Sequence, residues 1–123
     1  MNIALWIAQV VLALSFVAAG GIKVSQPKEK LEASMGWVED FSLGFVRFVG
    51  AVELLGGLGL ILPGITDIAP ILTPLAASGL AVDQTAAAVV HLRRREPRFI
   101  FGNVVLFAVA VLIAWGRFGD YPL

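Results

Sequence analysis

Two carboxylates, Glu53 and Asp83, lie near the middle of long apolar runs in this chain of 123 residues. An ionised carboxylate at the centre of a bilayer costs roughly 2.5–3.5 kcal/mol on insertion scales, so each should face a protein interior, take a partner or hold a proton. If the two approach one another, repulsion and desolvation favour a single shared proton, suited to transfer or to hydrogen-bonding a carbonyl oxygen such as that of a quinone. A plain packing role competes with that chemistry. Glu53 can pair with Lys23 or Arg47, and Asp83 with Arg94, which follows at nearly the same azimuth, as glue between helices. His91, the single histidine, reads first as an interfacial residue, and Arg93, Arg94 and Arg95 as a topology signal touching lipid phosphate.

Composition says what must position these groups. The chain is 59% hydrophobic and 15% charged, with a mean hydropathy of +0.89, far from the composition of a soluble domain. Four apolar stretches, over about residues 3–22, 43–62, 68–90 and 99–115, each approach the ~17–25 residues that a helix needs to cross the hydrocarbon layer. The expectation is an all-α integral membrane four-helix bundle forming a single domain over residues 1–123. The first stretch has no basic segment before it and runs directly into Lys23, so it reads as a retained helix rather than a signal peptide. With no cysteine, dithiol chemistry, iron–sulfur clusters and zinc–thiolate sites are excluded within this chain. One histidine cannot supply a bis-histidine haem, so no haem and no metal site is expected. A formal net charge of zero gives no reason to expect nucleic acid.

Small and polar residues recur at helical spacing in every stretch, the pattern by which helices approach closely in lipid. The sets are Gln9, Phe16, Gly20 and Lys23; Gly50, Glu53 and Gly57; Ala76, Gly79, Asp83 and Ala87; and Asn103, Phe107, Ala110 and Ala114. Gly20, Gly50, Gly57 and Gly79 are the expected packing contacts. Glu53 lies roughly 15 Å inside its helix and Asp83 roughly 12 Å from His91, so the two carboxylates can share one layer. Lys23, Arg47, His91 and Asn103 sit nearer the rim. Together these six residues form the candidate polar pocket, acidic at its floor and basic at its mouth. Between the second and third stretches, Pro63 to Asp67 reads as a tight turn. The first loop is long enough for a short amphipathic helix that begins at Pro27 and carries Leu31, Met35 and Val38 on its apolar face.

The motif Phe16-x-x-x-Gly20-x-x-Lys23 at the end of the first helix, followed by Gly50-x-x-Glu53-Leu54-Leu55-Gly56-Gly57 in the second and by His91 after the third, resembles the DoxX or DoxX-like family of small bacterial membrane proteins over almost the whole chain. Asp83 matches no family motif. The resemblance implies four spanning helices and, for some relatives, association with thiosulfate:quinone oxidoreductase or with oxidative-stress enzymes. Distant eukaryotic relatives resemble chaperones or cargo receptors. By this analogy Lys23, Glu53 and His91 carry the function, with Glu53 as the proton-bearing group and Lys23 as its charge partner; no catalytic residue is assigned. Two readings follow. One is a membrane subunit of a quinone-linked or oxidative-stress redox complex, with the lipid bilayer, another redox protein or a second copy of the chain as partners. The other is a non-catalytic scaffold or assembly factor that binds a partner protein or lipid. Fold analogy does not choose between them.

Basic residues near helix ends are retained on the cytoplasmic side. Lys23, Lys28, Lys30, Arg47, Arg93, Arg94, Arg95 and Arg98 gather at one side and only Arg117 at the other, eight of the nine basic residues against one. The expected place is the bacterial inner membrane, with both termini outside the cytoplasm. Single cysteines at Gly64 and Tyr121 should therefore react with an impermeant thiol reagent in intact cells, and cysteines at Glu29 and Glu96 should not; the reverse pattern would invert the orientation.

Overall fold

A chain in hydrocarbon must satisfy its backbone polar groups internally, and these apolar runs do so as helices. The computed structural model describes residues 1–123 and is entirely helical: α1 (Asn2–Ser25), α2 (Lys28–Ser34), a 3-10 turn (Gly36–Asp40), α3 (Leu43–Thr66), α4 (Leu72–Arg93) and α5 (Pro97–Phe118). Helices α1, α3, α4 and α5 are long and apolar enough to cross a membrane. Helix α1 packs chiefly on α3 and α4 on α5, while α3 against α4 joins the two pairs. Leu12, Phe16, Leu60, Leu80 and Ile113 fill the centre. Ile3, Leu14, Leu55, Val82 and Phe101 point outward, the inside-out arrangement that lipid permits.

The α1–α3 seam is the tightest in the bundle, and glycine explains it. A Cβ on Gly20 would stand 2.5 Å from the Gly50 carbonyl oxygen and 2.6 Å from the Leu54 nitrogen. One on Gly57 would stand 3.1 Å from the Ala13 carbonyl oxygen. Backbone therefore lies on backbone, and at Gly50 the missing side chain leaves room for the Lys23 stem, whose Cβ would be 2.5 Å from an added Cβ. Gly79 is different. An added Cβ there meets nothing within 4 Å, and the residue is exposed. The buried face of α4 is Thr73, Ala77, Leu80, Ala81 and Gln84, rotated from the face expected in the sequence, because bulky Leu80 fills the space over Gly56 of α3. In α5 likewise the buried residues are Ala110, Ile113, Gly116 and Arg117, and Phe107 is exposed.

Pro63 does not end α3. It lies buried within the helix, which runs on to Thr66 and closes at Asp67 in the left-handed region, φ 57°. Proline cannot donate to the carbonyl four residues back. That carbonyl, on Gly59, instead accepts the Thr73 hydroxyl at 2.9 Å, so the lost bond is replaced from α4 and the turn moves to residues 67–71. The first loop also departs from a single amphipathic helix. Met35 adopts an extended conformation, φ −132°, which breaks the helix after about two turns and lets Leu31 and Val38 both bury against Val46. The Ser42 hydroxyl then accepts from the Phe45 nitrogen at 3.2 Å, a side-chain cap that starts α3.

Because the seam is backbone against backbone, Gly20→Ala should destabilise the bundle by about 1–3 kcal/mol through overpacking. Gly21→Ala, where nothing lies within 4 Å, should be neutral or slightly stabilising. Unfolding in a denaturing detergent, followed by helical circular dichroism, measures both.

Candidate functional site

The Gly20–Gly50 approach delivers Lys23, in the last turn of α1, beside Glu53, one turn along α3 from Gly50. The Lys23 Nζ lies 2.5 Å from the Glu53 Oε1, with side chains only 9% and 5% exposed. The same ammonium sits 5.9 Å from the centre of the Trp37 ring, a cation–π distance. Asp83, on α4, lines the same cavity as Glu53. Its Oδ2 accepts from the Gln84 Nε2 at 3.1 Å, and the Gln84 Oε1 accepts from the Asn103 Nδ2 at 2.9 Å. A polar chain along that cavity is thus made of two linked sets, Lys23–Glu53 and Asp83–Gln84–Asn103, with at least one member from each spanning helix.

This chain borders a cavity of about 350 Å³. Phe16, Trp37, Phe41, Phe45 and Leu106 supply apolar and aromatic walls, and His91 also lines it. Ser15 lines the same cavity yet is exposed on the outer surface of α1, so the cavity opens sideways at mid-helix. The Ser15 hydroxyl donates to the Val11 carbonyl at 2.9 Å, which satisfies it without water.

The mouth is closed by an ionic clasp at the end of the bundle that bears the first and third loops. Arg94, just past α4, donates from Nη1 to the Asp40 Oδ2 at 2.6 Å and from Nε to the Glu96 Oε1 at 3.2 Å. The His91 Nδ1 lies 3.1 Å from that same Glu96 oxygen, and the His91 ring stacks on Phe99 at 4.8 Å. Hydrogen bonding from His91, then the charge and hydrogen bond of Arg94, hold the Glu96 carboxyl below its ordinary range, and the Asp40 hydrogen bond holds the Arg94 guanidinium above its own. The clasp pins the 3-10 turn, and with it Trp37 and Phe41, across the cavity.

The family model for the DoxX-like family matches residues 7–113, which include every member of the polar chain. This chain belongs to the DoxX-like family. No curated protein and no solved structure matches it significantly.

In this DoxX-like bundle Lys23, Glu53, Asp83, His91 and Asn103 share one cavity wall. Arg47 does not. Its Nη1 donates to the Lys23 carbonyl at 2.9 Å, satisfying the end of α1, so of the two cations open to Glu53 only Lys23 is its partner. Arg94 does not pair with Asp83 either: eleven residues along a helix are roughly 16 Å, and its guanidinium is engaged past the helix end. Two residues of consequence escaped the sequence reading. Gln84, next to Asp83, is 5% exposed and joins α4 to α5; its burial was masked because the α4 face was set one residue off. Arg117, 3% exposed, donates to the Gln9 Oε1 at 2.7 Å, the Asn2 Oδ1 at 2.6 Å and the Tyr121 carbonyl at 2.9 Å. Gln9 in turn donates to the Leu60 carbonyl at 2.6 Å. No local spacing signals that cluster, whose members come from opposite ends of the chain.

Removing one member of a buried ion pair strands the other, at a typical cost of about 3–5 kcal/mol. Glu53→Gln and Lys23→Met should each destabilise on that scale, and the double variant should lose clearly less than the sum; additive losses in detergent unfolding would show that the two charges do not depend on each other. The clasp gives a second expectation. A carboxyl held low in the folded state contributes stability above its unfolded value, here 4.5, and loses it as pH falls through the folded value. Arg94→Gln should red-shift Trp37 emission at neutral pH as the 3-10 turn loosens, and the intact protein should show that shift only well into acid.

Proposed function

We propose that this DoxX-like protein is a membrane subunit that holds a small ring-bearing carbonyl compound of the quinone class in the Lys23–Glu53–Asp83 cavity, with electrons supplied by another chain or a soluble donor. One observation carries the reading: a polar chain drawn from all four spans lies along an aromatic-walled cavity that opens sideways beside the exposed Ser15. A carbonyl head group needs a donor and a proton source, and the two carboxyl groups beside the Lys23 ammonium offer both. A flat ring and an apolar tail need the faces of Trp37, Phe41 and Phe45 and a sideways exit. Two electrons and two protons convert such a quinone to its hydroquinone. The proteins that supply the electrons dock, on this reading, at the basic end of the bundle, which faces the cytoplasm of a bacterial inner membrane.

Buried polar groups are costly unless they serve something. A bundle serving only as a scaffold would use the same glycine seam and basic loops, and its cavity would have no occupant. Purification from native membranes in mild detergent, with mass spectrometry of what accompanies the chain, distinguishes the two. A quinone near one-to-one stoichiometry is expected, and it should be absent from the Lys23→Met/Glu53→Gln double variant. An empty cavity with one tightly held protein partner would replace this reading with the scaffold.

A further inference from the structure

Two side chains belong to two cavities at once. Trp37 and His91 line the cavity that holds Glu53 and Asp83, and they also line a second one of about 350 Å³, whose other polar walls are Glu32, Ser34, Glu96 and Arg98. Glu32 and Ser34 belong to α2 and Glu96 to the link between α4 and α5, outside the spanning helices. Ser34 and Arg98 are exposed, so this second cavity meets water at the basic end of the bundle. The first opens sideways beside Ser15, which in a bilayer faces hydrocarbon, and hydrocarbon supplies no protons. A proton passing between water and the buried carboxyl groups therefore has its direct path through the Trp37–His91 partition. Of that pair only His91 can both take and give one, because an indole N–H donates and does not accept.

We infer that His91 is the proton port of this cavity, the residue through which Glu53 and Asp83 exchange protons with water at the basic end. The ring is oriented for it. Its Nδ1 lies 3.1 Å from the Glu96 Oε1, and a carboxylate only accepts, so Nδ1 carries its hydrogen there. Nε2, unbonded and not sealed off, keeps the lone pair. Arg94 holds that same Glu96 oxygen and Asp40, which fixes the carboxylate in place. From His91 to Asp83 is eight residues of α4, roughly 12 Å. Ala87, midway between them, lines the cavity too, and its methyl group leaves that stretch of wall clear for water or a guest to bridge the two. A proton taken up at Nε2 from the cavity makes the imidazolium, and one released from Nδ1 through Glu96 to water makes the ring neutral again; the reverse order carries a proton inward. Only N–H and O–H bonds change, no electron moves, and the two neutral tautomers re-equilibrate through the same water. The other charges around the ring are Arg98 of α5 and Glu32 of α2 on the aqueous side, and Lys23 of α1, Glu53 of α3 and Asp83 of α4 across the cavity. The port goes beyond the proposed guest, since it serves the carboxyl groups whether or not a ring compound is bound.

The test uses the full chain in phosphatidylcholine vesicles, with a light-released proton pulse on both sides and time-resolved infrared absorption of the protonated carboxyl, its band identified by loss in Asp83→Asn or Glu53→Gln. His91 is the single histidine, so diethylpyrocarbonate can block this imidazole in the unmutated protein and hydroxylamine can free it again. Blocking should slow carboxyl protonation about 100-fold, the worth of a positioned proton-transfer group, and hydroxylamine should restore the rate. His91→Ala should be as slow, and millimolar imidazole should recover most of the loss, which it would not do for a ring that served only in packing. The blocked protein carries no substitution, so the matter is decided even if His91→Ala fails to fold. An unchanged rate in fully blocked protein or in His91→Ala overturns the inference, as does a slowing that neither hydroxylamine nor imidazole reverses. A chain whose two carboxyl groups take up no proton at any pH at which it stays folded overturns it as well. None of these outcomes bears on whether a quinone copurifies with the chain, so the proposed function stands or falls separately.

Discussion

The Lys23–Glu53 ion pair is the constraint around which the rest of the bundle is arranged. Two opposite charges removed from water hold together only if their geometry is close and their remaining valences are met. Closeness comes from the glycines, since Gly20 and Gly50 bring the α1 and α3 backbones into contact and Gly50 leaves the space through which the Lys23 stem enters. The Trp37 ring covers the ammonium, and Asp83 lines the same cavity. Each spanning helix is then committed. Helix α4 must present Asp83 and Gln84, and α5 must present Asn103, or the polar chain ends inside hydrocarbon.

Much of this was legible in the sequence because two of its signals are physical necessities. Long apolar runs interrupted by charged loops have few solutions other than spanning helices, and Lys23, Gly50 and Glu53 fall on facing stripes at helical spacing. What could not be read was azimuth. A stripe of alanine and glycine in α4 fits two faces one residue apart, and the choice was made by Leu80 seating over Gly56, a contact between helices that spacing within one helix does not contain. Proline misled for the same reason: Pro63 looks like an end until Thr73, ten residues on, supplies the Gly59 carbonyl with a donor. Partner choice was likewise tertiary, for Arg47 stands far nearer Glu53 in sequence than Lys23 does, yet the chain path turns Arg47 to a backbone carbonyl.

The two ends of the bundle treat buried cations differently. At one end Lys23 meets a carboxylate. At the other, Arg117 meets only neutral oxygens from Gln9, Asn2 and Tyr121, with its guanidinium 5.7 Å from the Trp6 ring. Guanidinium charge is diffuse and always present, and it suits a site built from amide and carbonyl dipoles and an aromatic face better than an ammonium would. That cluster ties both chain ends to the Leu60 carbonyl through Gln9.

On the proposed function, Ser15 makes the bilayer itself part of the recognition. Because it faces outward and lines the cavity at the same time, a guest can arrive from among the acyl chains without crossing water. The concentration that fills the site is then the one dissolved in the membrane. An amphiphile that partitions strongly into lipid is enriched there before it meets a single side chain, so weak contacts suffice for high occupancy. For the guest proposed above, modest affinity and fast exchange would then suffice.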